Sequence, residues 1–358
     1  MVRVGLAGFA SAGQGIHAPL IRAAGLELAA IATANPERVE QAGAAFPDAE
    51  IVPDLDALLQ LDGLDVVVLA TPSGLHADQA RQVLDAGVPV VVDKPLATNA
   101  SDALAVLDAA RHAGVPLTVF QNRRYDAEHV TMRDVVRSGR LGEVFRAEIR
   151  WERWRPIPKE RWRETAPATE GGGIMLDLQT HTVDAAVDLL GPVESVYAEV
   201  FSRTTVAEDD AFLACRHESG AVSHLATSSV AAAPGPRVRV LGRAGAFVLN
   251  AFERDLDIYP DLHSDDEHCG WIYDGAERTP ARRSDSSQVD FYRQVAAALR
   301  ADDVQAAMPV DPRDAVHTLA VIDAARASAG SGSAVRVVTP GDGPAPAEEQ
   351  SGPAQAGR

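Results

Sequence analysis

Short apolar segments alternate with helix-like segments along residues 1–121, and this alternation limits the possible folds more than any other feature of the chain. The segment 65–70, DVVVLA, is almost wholly apolar, which is typical of a strand buried on both faces of a parallel sheet. Strands that alternate with helices in this way predict a doubly wound parallel sheet of the α/β class. The predicted strands are 2–7, 28–32, 51–52, 65–70, 88–92 and 115–120, and the predicted helices are 17–24, 36–45, 55–61, 76–86 and 101–113, the last capped by Ser101 and stopped by Gly114.

The turn after the first predicted strand has the spacing of a dinucleotide-binding loop. Gly8 and Gly13 hold the positions that form the tight turn and let the helix pack closely on the strand. Ala10 stands where the backbone approaches the pyrophosphate, so its methyl group predicts a slightly displaced loop. We expect this loop, including Ser11, to bind a dinucleotide, and a plain tight turn is the alternative.

The end of the second predicted strand carries no acidic residue. NAD-binding proteins usually have an acid there that holds the ribose hydroxyls. In this chain Thr33, Asn35 and Arg38 follow the strand and could bind a ribose phosphate instead. This pattern favours NADP over NAD, although Arg38 also fits an ordinary solvated position on a helix.

Two later strands end in polar residues at the edge where ligands bind in open α/β sheets. Thr71, Pro72 and His76 follow strand 65–70, and Lys94 follows strand 88–92. We expect all four to contact the cofactor. A lysine at this edge could bind a phosphate or polarise a carbonyl, and a solvated side chain is the alternative.

A polar stripe interrupts the apolar segment 174–190, which is predicted to be a buried helix. Asp177, His181, Asp184 and Asp188 are spaced by four, three and four residues, which places them on one helix face. Near the start of the helix the dipole favours an ionised Asp177 and a neutral His181, the combination that a general base requires. The alternative is a set of capping and interhelix hydrogen bonds, to which we assign Asp184 and Asp188.

The second half of the sequence has a different pattern. Residues 145–152 alternate between apolar and polar, as expected of a half-buried antiparallel strand. The pattern predicts an α+β domain with a largely antiparallel open sheet covered by helices on one face. We place the dinucleotide-binding domain at 1–121, this second domain at 122–338 and a disordered tail at 339–358. Further predicted strands are 195–200, 211–216, 222–228, 238–241 and 246–249, and predicted helices lie within 123–139 and at 288–300 and 312–328.

Composition restricts the partners. The net charge of −18 argues against nucleic acid and anionic membranes. No apolar run is long enough to cross a membrane, and the two cysteines fit a reducing cytoplasm. Residues 263–269 contain potential metal ligands without a recognised spacing, so no metal is expected.

Substrate contacts are predicted around two segments rich in arginine. Arg123 and Tyr125 begin the second domain near the expected cleft. Residues 153–163, including Arg153 and Trp162, form an Arg/Trp-rich loop. Arginine with tryptophan suits polyhydroxylated rings or a carboxylate, and a solvated or subunit-contact loop is the alternative.

Segments across residues 2–338 resemble the glucose-fructose oxidoreductase / inositol dehydrogenase / rhizopine catabolism (Gfo/Idh/MocA) family. The glycine loop with HAPLI, the segment QNRRYD and the tripeptide WRE are closest to a branch that includes scyllo-inositol dehydrogenases. The other segments that carry the resemblance are LATPSGLHADQA, VVDKPLA, SGRLGEV, GGGIMLDLQTHTVDAAVDLLG and FYRQVAAAL with MPVDPRDA.

The resemblance implies an NAD(P)-dependent dehydrogenase whose catalytic residues are Lys94, Asp177 and His181, with Asp177 and His181 also contacting the substrate. It implies hydride transfer between the nicotinamide and a secondary alcohol of a sugar, cyclitol or related polyol. His181 would take the hydroxyl proton, Lys94 would stabilise charge on the same oxygen, and Asp177 would orient the pair. Asp93 replaces the usual glutamate, and Gln179 replaces a common glycine, which could alter the floor of the pocket.

Two alternatives remain open from the sequence. A non-catalytic dinucleotide-sensing regulator could use the same fold, and a dehydrogenase of a dihydrodiol or aldehyde could use the same residues. The open sheet face predicts a homodimer or homotetramer, because a broad apolar face is rarely left bare.

Overall fold

A six-stranded parallel sheet forms the first part of the molecule, for which a computed structural model describes residues 1–159, 162–250 and 259–341. Its strands are β1 (Arg3–Ala7), β2 (Glu27–Ala32), β3 (Glu50–Val52), β4 (Val66–Leu69), β5 (Val90–Asp93) and β6 (Leu117–Phe120). The order β3-β2-β1-β4-β5-β6 reverses direction between β1 and β4, and every neighbouring pair is parallel. The predicted doubly wound parallel sheet is confirmed.

Helices connect these strands at nearly the predicted positions. They are α1 (Ala18–Ala23), α2 (Pro36–Ala45), α3 (Leu55–Leu59), α4 (His76–Asp85) and α5 (Ala100–Ala113). The predicted cap of α5 was wrong, because Asn99, two residues before Ser101, accepts the hydrogen bond from the backbone N–H of Asp102 at 2.9 Å. The predicted stop at Gly114 is confirmed, since this glycine ends the helix with a φ of 65°.

The first helix begins earlier than predicted. Helical backbone starts at Ser11 and passes through a π-helical turn, Gly13–His17, before α1. A π turn contains more residues per turn than an α-helix, so the apolar periodicity expected of a helix is lost there. This explains why the sequence pattern placed the start of the helix at residue 17.

Among the described residues, nine strands form a second sheet. They are β7 (Val144–Glu152), β8 (Val193–Phe201), β9 (Asp210–His217), β10 (Val222–Ser228), β11 (Val238–Gly242), β12 (Ala246–Leu249), β13 (His268–Asp274), β14 (Glu277–Arg282) and β15 (Val335–Arg336). Their order is β14-β13-β12-β11-β7-β10-β9-β8-β15, and only the central pair β7 and β10 is parallel. The largely antiparallel sheet is confirmed, but β13, β14 and β15 were not predicted.

Helices cover one face of this sheet. The remaining helices are α6 (Ala127–Arg137), α7 (Trp162–Thr165), α8 (Thr180–Leu190), α9 (Val289–Ala298), α10 (Val304–Ala307) and α11 (Pro312–Ser331). Helix α8 packs on β7 and β10, and α6 packs on β12 and β13. Helix α11 contacts both β8 and α5, so it joins the second sheet to the helices of the first. This packing brings the end of β5 close to the start of α8.

Several sequence expectations fall at the edges of the described chain. Residues 160–161 of the Arg/Trp-rich segment, and 342–358 of the predicted tail, lie outside the described residues. Within residues 339–341, the Thr339 hydroxyl lies 2.7 Å from His317 Nδ1. None of the helices described is both long and apolar enough to cross a membrane. In the same part of the chain no group of three potential metal ligands comes together, and Cys269 of the 263–269 segment is buried in β13.

Candidate active site

The glycine turn after β1 has the shape that a dinucleotide cradle requires. Gly8 has a φ of +95°, and a Cβ atom there would lie 2.7 Å from the carbonyl oxygen of Ala70. A Cβ on Gly13 would lie only 1.9 Å from the carbonyl oxygen of Gly8, so the helical turn packs directly on the loop. The two glycines therefore fill the roles predicted for them, and this cradle fits the pyrophosphate of a dinucleotide. Ala10 lies half-buried at the bend, and Ser11 is exposed beside it.

Two of the three residues predicted to bind a ribose phosphate after β2 form contacts within the protein instead. Thr33 is buried, and its N–H donates to the carbonyl of Val52 at 2.9 Å. The side-chain oxygen of Asn35 caps α2 by accepting from the N–H of Arg38 at 3.1 Å. Asn35 therefore has only its amide nitrogen left for a ribose phosphate, while the exposed Arg38 guanidinium lies one turn into the helix.

His76 holds two loops together. Its Nδ1 lies 2.7 Å from the carbonyl oxygen of Pro95, and its Nε2 lies 2.9 Å from that of Thr71. The ring is fully buried, and the lowered pKa of His76 follows first from this burial. Both ring nitrogens face backbone carbonyl oxygens, and the neutral ring donates to one of them, so the predicted cofactor contact through the His76 ring is not supported. The His76 ring instead holds Thr71 and the exposed Pro72 next to the Lys94–Pro95 segment.

Lys94 reaches from the end of the parallel sheet to the helix region of the second sheet. Its ammonium group donates to the backbone carbonyl of Asp177 and lies 3.7 Å from the carboxylate of the same residue. Arg163 Nε lies 3.6 Å from that carboxylate as well. Burial lowers the pKa of Lys94, and Asp177 and Asp93 partly oppose this effect. The lysine is thus a half-buried cation held between two parts of the fold.

A buried polar network lies behind Lys94. The carboxylate of Asp93 accepts from the Lys94 N–H at 2.9 Å and lies 3.6 Å from Nε2 of His17. His17 is completely buried, and its Nδ1 lies 2.5 Å from the hydroxyl of Tyr292. Burial alone would raise the pKa of Asp93, but His17 and Lys94 outweigh it and lower the pKa. Asp93 therefore stays ionised and positions the backbone of Lys94.

His181 lies on α8, directly after a π-helical turn, Met175–Gln179. Its ring stacks on the buried indole of Trp151, with the ring centroids 5.4 Å apart and the planes inclined by 28°. Burial lowers the pKa of His181 well below 6.5, and the charges of Lys94, Arg123 and Arg237 lower it further. The imidazole is therefore neutral at physiological pH. Its Nδ1 is buried and has no hydrogen-bond partner among the described residues.

Asp177 does not orient His181 as expected. The carboxylate pairs with Lys94 and Arg163, and within the described chain no hydrogen bond joins Asp177 to His181. The physical reason is charge, because the carboxylate pairs with two cations, whereas the His181 ring is neutral and stacks on Trp151. Asp177 instead neutralises the cations beside the imidazole.

The rest of the polar stripe has a structural role, as predicted. Asp184 accepts two hydrogen bonds from the Arg124 guanidinium, at 2.9 and 2.7 Å. Asp188 accepts from His129 Nε2 at 2.7 Å. Burial raises the pKa of Asp188, but His129 and the neighbouring arginines outweigh it and lower the pKa to about 2. Arg124, which stands beside Arg123 in the QNRRYD segment, therefore serves the fold through its pairs with Asp184 and Asp314.

The predicted substrate contacts separate into two groups. Arg123 lines a pocket together with Trp151 and His181. Tyr125 does not, because its hydroxyl donates to Gln294 at 2.8 Å and its ring packs in the buried core, so this prediction was wrong. The two residues lie on one 3₁₀ turn, where a spacing of two points side chains in different directions.

A second, adjacent pocket contains the Arg/Trp-rich segment. Arg153, Arg163 and Asp177 line it, and Trp162 flanks it through contact with the Arg163 guanidinium, 4.7 Å from the ring centroid. Gln179 lies in neither pocket. It is fully buried, and its side-chain oxygen accepts from the Thr227 hydroxyl at 2.7 Å, which ties the helix to β10.

Two site residues escaped the sequence analysis. Trp151 is the penultimate residue of the alternating strand β7 and lies on its buried face, and Arg237 immediately precedes β11. The Arg237 guanidinium lies 3.7 Å from the Trp151 ring centroid. The alternation of β7 could have indicated an inward Trp151, but no local signal distinguishes Arg237 from other arginines.

Comparison with known proteins agrees with this geometry. Residues 2–121 match an oxidoreductase family with an NAD-binding Rossmann fold, and residues 129–248 match the GFO/IDH/MocA C-terminal domain. A scyllo-inositol 2-dehydrogenase (NADP+) of Bacillus subtilis is 28% identical over 91% of this chain and 93% of its own length. An uncharacterized oxidoreductase of Escherichia coli is 31% identical, over 90% of this chain and 94% of its own.

The crystal structure of an oxidoreductase from Klebsiella pneumoniae superposes on this chain with a TM-score of 0.81, at 30% sequence identity. It covers 94% of this chain and 96% of the Klebsiella chain. Together with the cradle after β1 and the pairing of Lys94 with Asp177, these matches identify the family: the chain belongs to the Gfo/Idh/MocA oxidoreductases.

Proposed function

We propose that the protein is an NAD(P)-dependent dehydrogenase that acts on a secondary alcohol of a sugar, cyclitol or related polyol, or on the corresponding ketone. The observation that carries this proposal is the position of Lys94, which joins the cofactor edge of the first sheet to Asp177, close to the neutral His181. A scyllo-inositol 2-dehydrogenase among the relatives supports the substrate class.

His181, Lys94 and Asp177 have separate roles in proton transfer and charge stabilisation. When bound, the nicotinamide accepts or supplies the hydride. In oxidation, the alcohol loses its hydroxyl proton to His181 while its C–H electron pair leaves as hydride, and its C–O bond becomes a carbonyl. Lys94 stabilises the negative charge that develops on the substrate oxygen. Asp177 holds Lys94 in place through the ion pair at 3.7 Å.

The loop after β2 supports NADP as the preferred cofactor. No acid stands at the strand end to repel a 2′-phosphate, and Arg38 is exposed nearby. Exchange of Arg38 for alanine should weaken NADP binding and leave NAD binding nearly unchanged. Fluorescence titration with both reduced cofactors measures this, and an equal change for both would oppose the preference.

A substrate panel tests the proposed reaction. Inositols, aldoses and sugar acids are supplied with NAD+ or NADP+ separately, and the absorbance of the reduced nicotinamide is followed. Turnover of a polyol supports the proposal. Tight cofactor binding with no turnover of any polyol would favour the sensing regulator, and turnover of a dihydrodiol or aldehyde alone would favour the non-sugar dehydrogenase.

The uncovered face of the second sheet supports a homodimer or homotetramer. Along β9 the residues Ala211, Leu213 and Cys215 are buried against the helices, whereas Phe212 points to the other face and is 36% exposed. Phe201 of β8 is 44% exposed on the same face. Exchange of Phe212 for glutamate should reduce the mass measured by light scattering, and an unchanged mass would oppose assembly through this face. The unpaired thiols of Cys215 and Cys269 support a cytoplasmic location.

A further inference from the structure

One aromatic side chain organises the substrate side of the active site. Trp151 is buried, with 6% of its surface exposed, and three charged or titratable groups contact its indole. His181 stacks on it, the Arg237 guanidinium lies 3.7 Å from its centroid, and the Arg123 guanidinium lies 4.7 Å from it. Cation–π contact of this kind fixes a guanidinium without removing its hydrogen-bond donors.

The two arginines are anchored independently by backbone elements. The carbonyl of Arg237 accepts from the N–H of Arg150 at 2.8 Å, which extends the pairing of β11 with β7. Arg123 lies on the 3₁₀ turn that follows β6, and its Nη1 donates to Asp126 at 2.8 Å. The Nε–H of Arg123 is buried and has no hydrogen-bond partner among the residues described. A buried donor of this kind requires an acceptor, which a ligand would supply.

Arg123, Trp151, His181 and Arg237 line one pocket. A substrate whose hydroxyl contacts His181 therefore brings its neighbouring groups between or beside the two guanidinium groups. A neutral hydroxyl forms weaker hydrogen bonds with a guanidinium group than a carboxylate does. A carboxylate accepts charge-assisted hydrogen bonds from both arginines. Arg123 already uses part of its charge on Asp126, which suits a singly charged anion better than a phosphate dianion.

We propose that the natural substrate is an acidic sugar or cyclitol, and that Arg123 and Arg237 bind its carboxylate beside the carbon that is oxidised. This inference rests on the proposed dehydrogenase function and specifies its substrate class. It also accounts for the two guanidinium groups beside the neutral base, in a pocket that Asp126 and Glu128 line as well. Charge from the bound carboxylate would raise the pKa of His181 toward the range in which an imidazole accepts a proton effectively.

Matched substrate pairs test the inference with the full-length protein. D-galacturonate and its neutral methyl ester have the same ring, as do D-glucuronate and D-glucose apart from the carboxylate. We expect kcat/KM for the acid to exceed that of the neutral partner by about 10-fold or more, given the strength of charge-assisted hydrogen bonds. D-glucose 6-phosphate serves as the dianionic probe.

Substitutions locate the effect. In Arg123→Gln and in Arg237→Gln, the ratio of kcat/KM for acid to that for neutral partner should fall toward one, mainly through a higher KM for the acid. Arg237→Lys keeps the charge without the planar fork and should retain part of the preference. Arg278→Gln is the matched control, because Arg278 also lies over a tryptophan, 4.5 Å from the Trp271 centroid, but outside this pocket. Cofactor affinity and melting temperature confirm that each variant is folded.

The outcomes separate the inference from the function on which it rests. A clear preference for the acids that is lost in both glutamine variants and kept in Arg278→Gln supports the carboxylate site. Equal or better turnover of the neutral partners would overturn the inference and leave the dehydrogenase function intact. Preference for the sugar phosphate would overturn the proposal that the pocket binds a carboxylate, and would show that it binds a dianion instead. Cofactor binding without turnover of any sugar or cyclitol would overturn both.

Discussion

The ammonium group of Lys94 lies 3.7 Å from the carboxylate of Asp177, although 83 residues separate the two in the sequence. The lysine ends a strand of the parallel sheet, and the aspartate lies in the π turn before α8. This contact closes the site, because it pairs the half-buried Lys94 cation with a carboxylate that also neutralises Arg163. It also makes the chemistry depend on the packing of the two sheets.

Removal of either proposed proton-handling group should abolish most turnover. In His181→Ala and Lys94→Ala, kcat should fall by about 10²-fold or more, because general acid–base and electrostatic contributions of that size are lost. Cofactor affinity, measured by fluorescence titration, should change little in His181→Ala. Full activity in either variant would contradict the assignment.

The kcat/KM for oxidation should begin to fall only at an unusually low pH. His181 must be neutral to accept a proton, and burial together with Lys94, Arg123 and Arg237 holds its pKa well below 6.5. A lowered pKa keeps the neutral form present as the pH falls, so kcat/KM should stay constant through pH 6.5 and decline only below it. An inflection at or above 6.5 would show that the imidazole is not shielded in this way. Arg237→Gln should move the inflection to higher pH, because one cation that opposes protonation is gone.

The ion pair of Asp188 should stabilise the fold in a pH-dependent way. Its pKa of about 2 lies below the ordinary 3.8, so the stabilisation is complete above pH 3.8 and is lost as the pH falls toward 2. A difference of this size corresponds to about 2 kcal/mol. Asp188→Asn should lower the free energy of unfolding in urea by about that amount at neutral pH, and by less below pH 4. Asp78→Asn is the control, since Asp78 is 79% exposed in its pair with Arg81.

The cradle after β1 should be intolerant of a single methyl group. In Gly13→Ala the new Cβ atom would lie 1.9 Å from the carbonyl oxygen of Gly8, so the loop must move. We expect cofactor affinity to fall by about 10-fold or more, an estimate based on the role of this glycine in close packing. Gly15→Ala, where no atom lies within 4 Å, should bind as the unmodified protein does. Equal affinities for the two variants would exclude a cofactor at this loop.

The sequence predicted the parallel sheet well because most of its strand residues are apolar and three of its helices begin at polar caps, Asn35, Asp54 and Asn99. Strand β14, by contrast, reads ERTPAR and is mostly exposed, so no hydrophobic pattern marks it. Lys94, Asp177 and His181 were found through spacing and family resemblance. Their mutual geometry was not, because the partners of Asp177 are Lys94 and Arg163, which lie outside the helix whose spacing predicted an Asp177–His181 pair.

The surroundings of His181 were the least predictable part of the site. Trp151 and Arg237 come from β7 and from the residue before β11, and these strands are neighbours only because the sheet order interleaves distant segments. A contact that depends on strand order leaves no signature in local spacing. Arg123 was found because it lies three residues after the end of β6, and its link to Trp151 required the structure.

The π turn Met175–Gln179 gives Lys94 an anchor on the main chain as well as on a side chain. The ammonium group donates to the backbone carbonyl of Asp177 and also pairs with the carboxylate of the same residue. Replacement of the Asp177 side chain would remove the ion pair and leave the contact with the carbonyl in place. The position of the proposed catalytic lysine therefore depends on the backbone path of this turn as well as on the charge of one side chain.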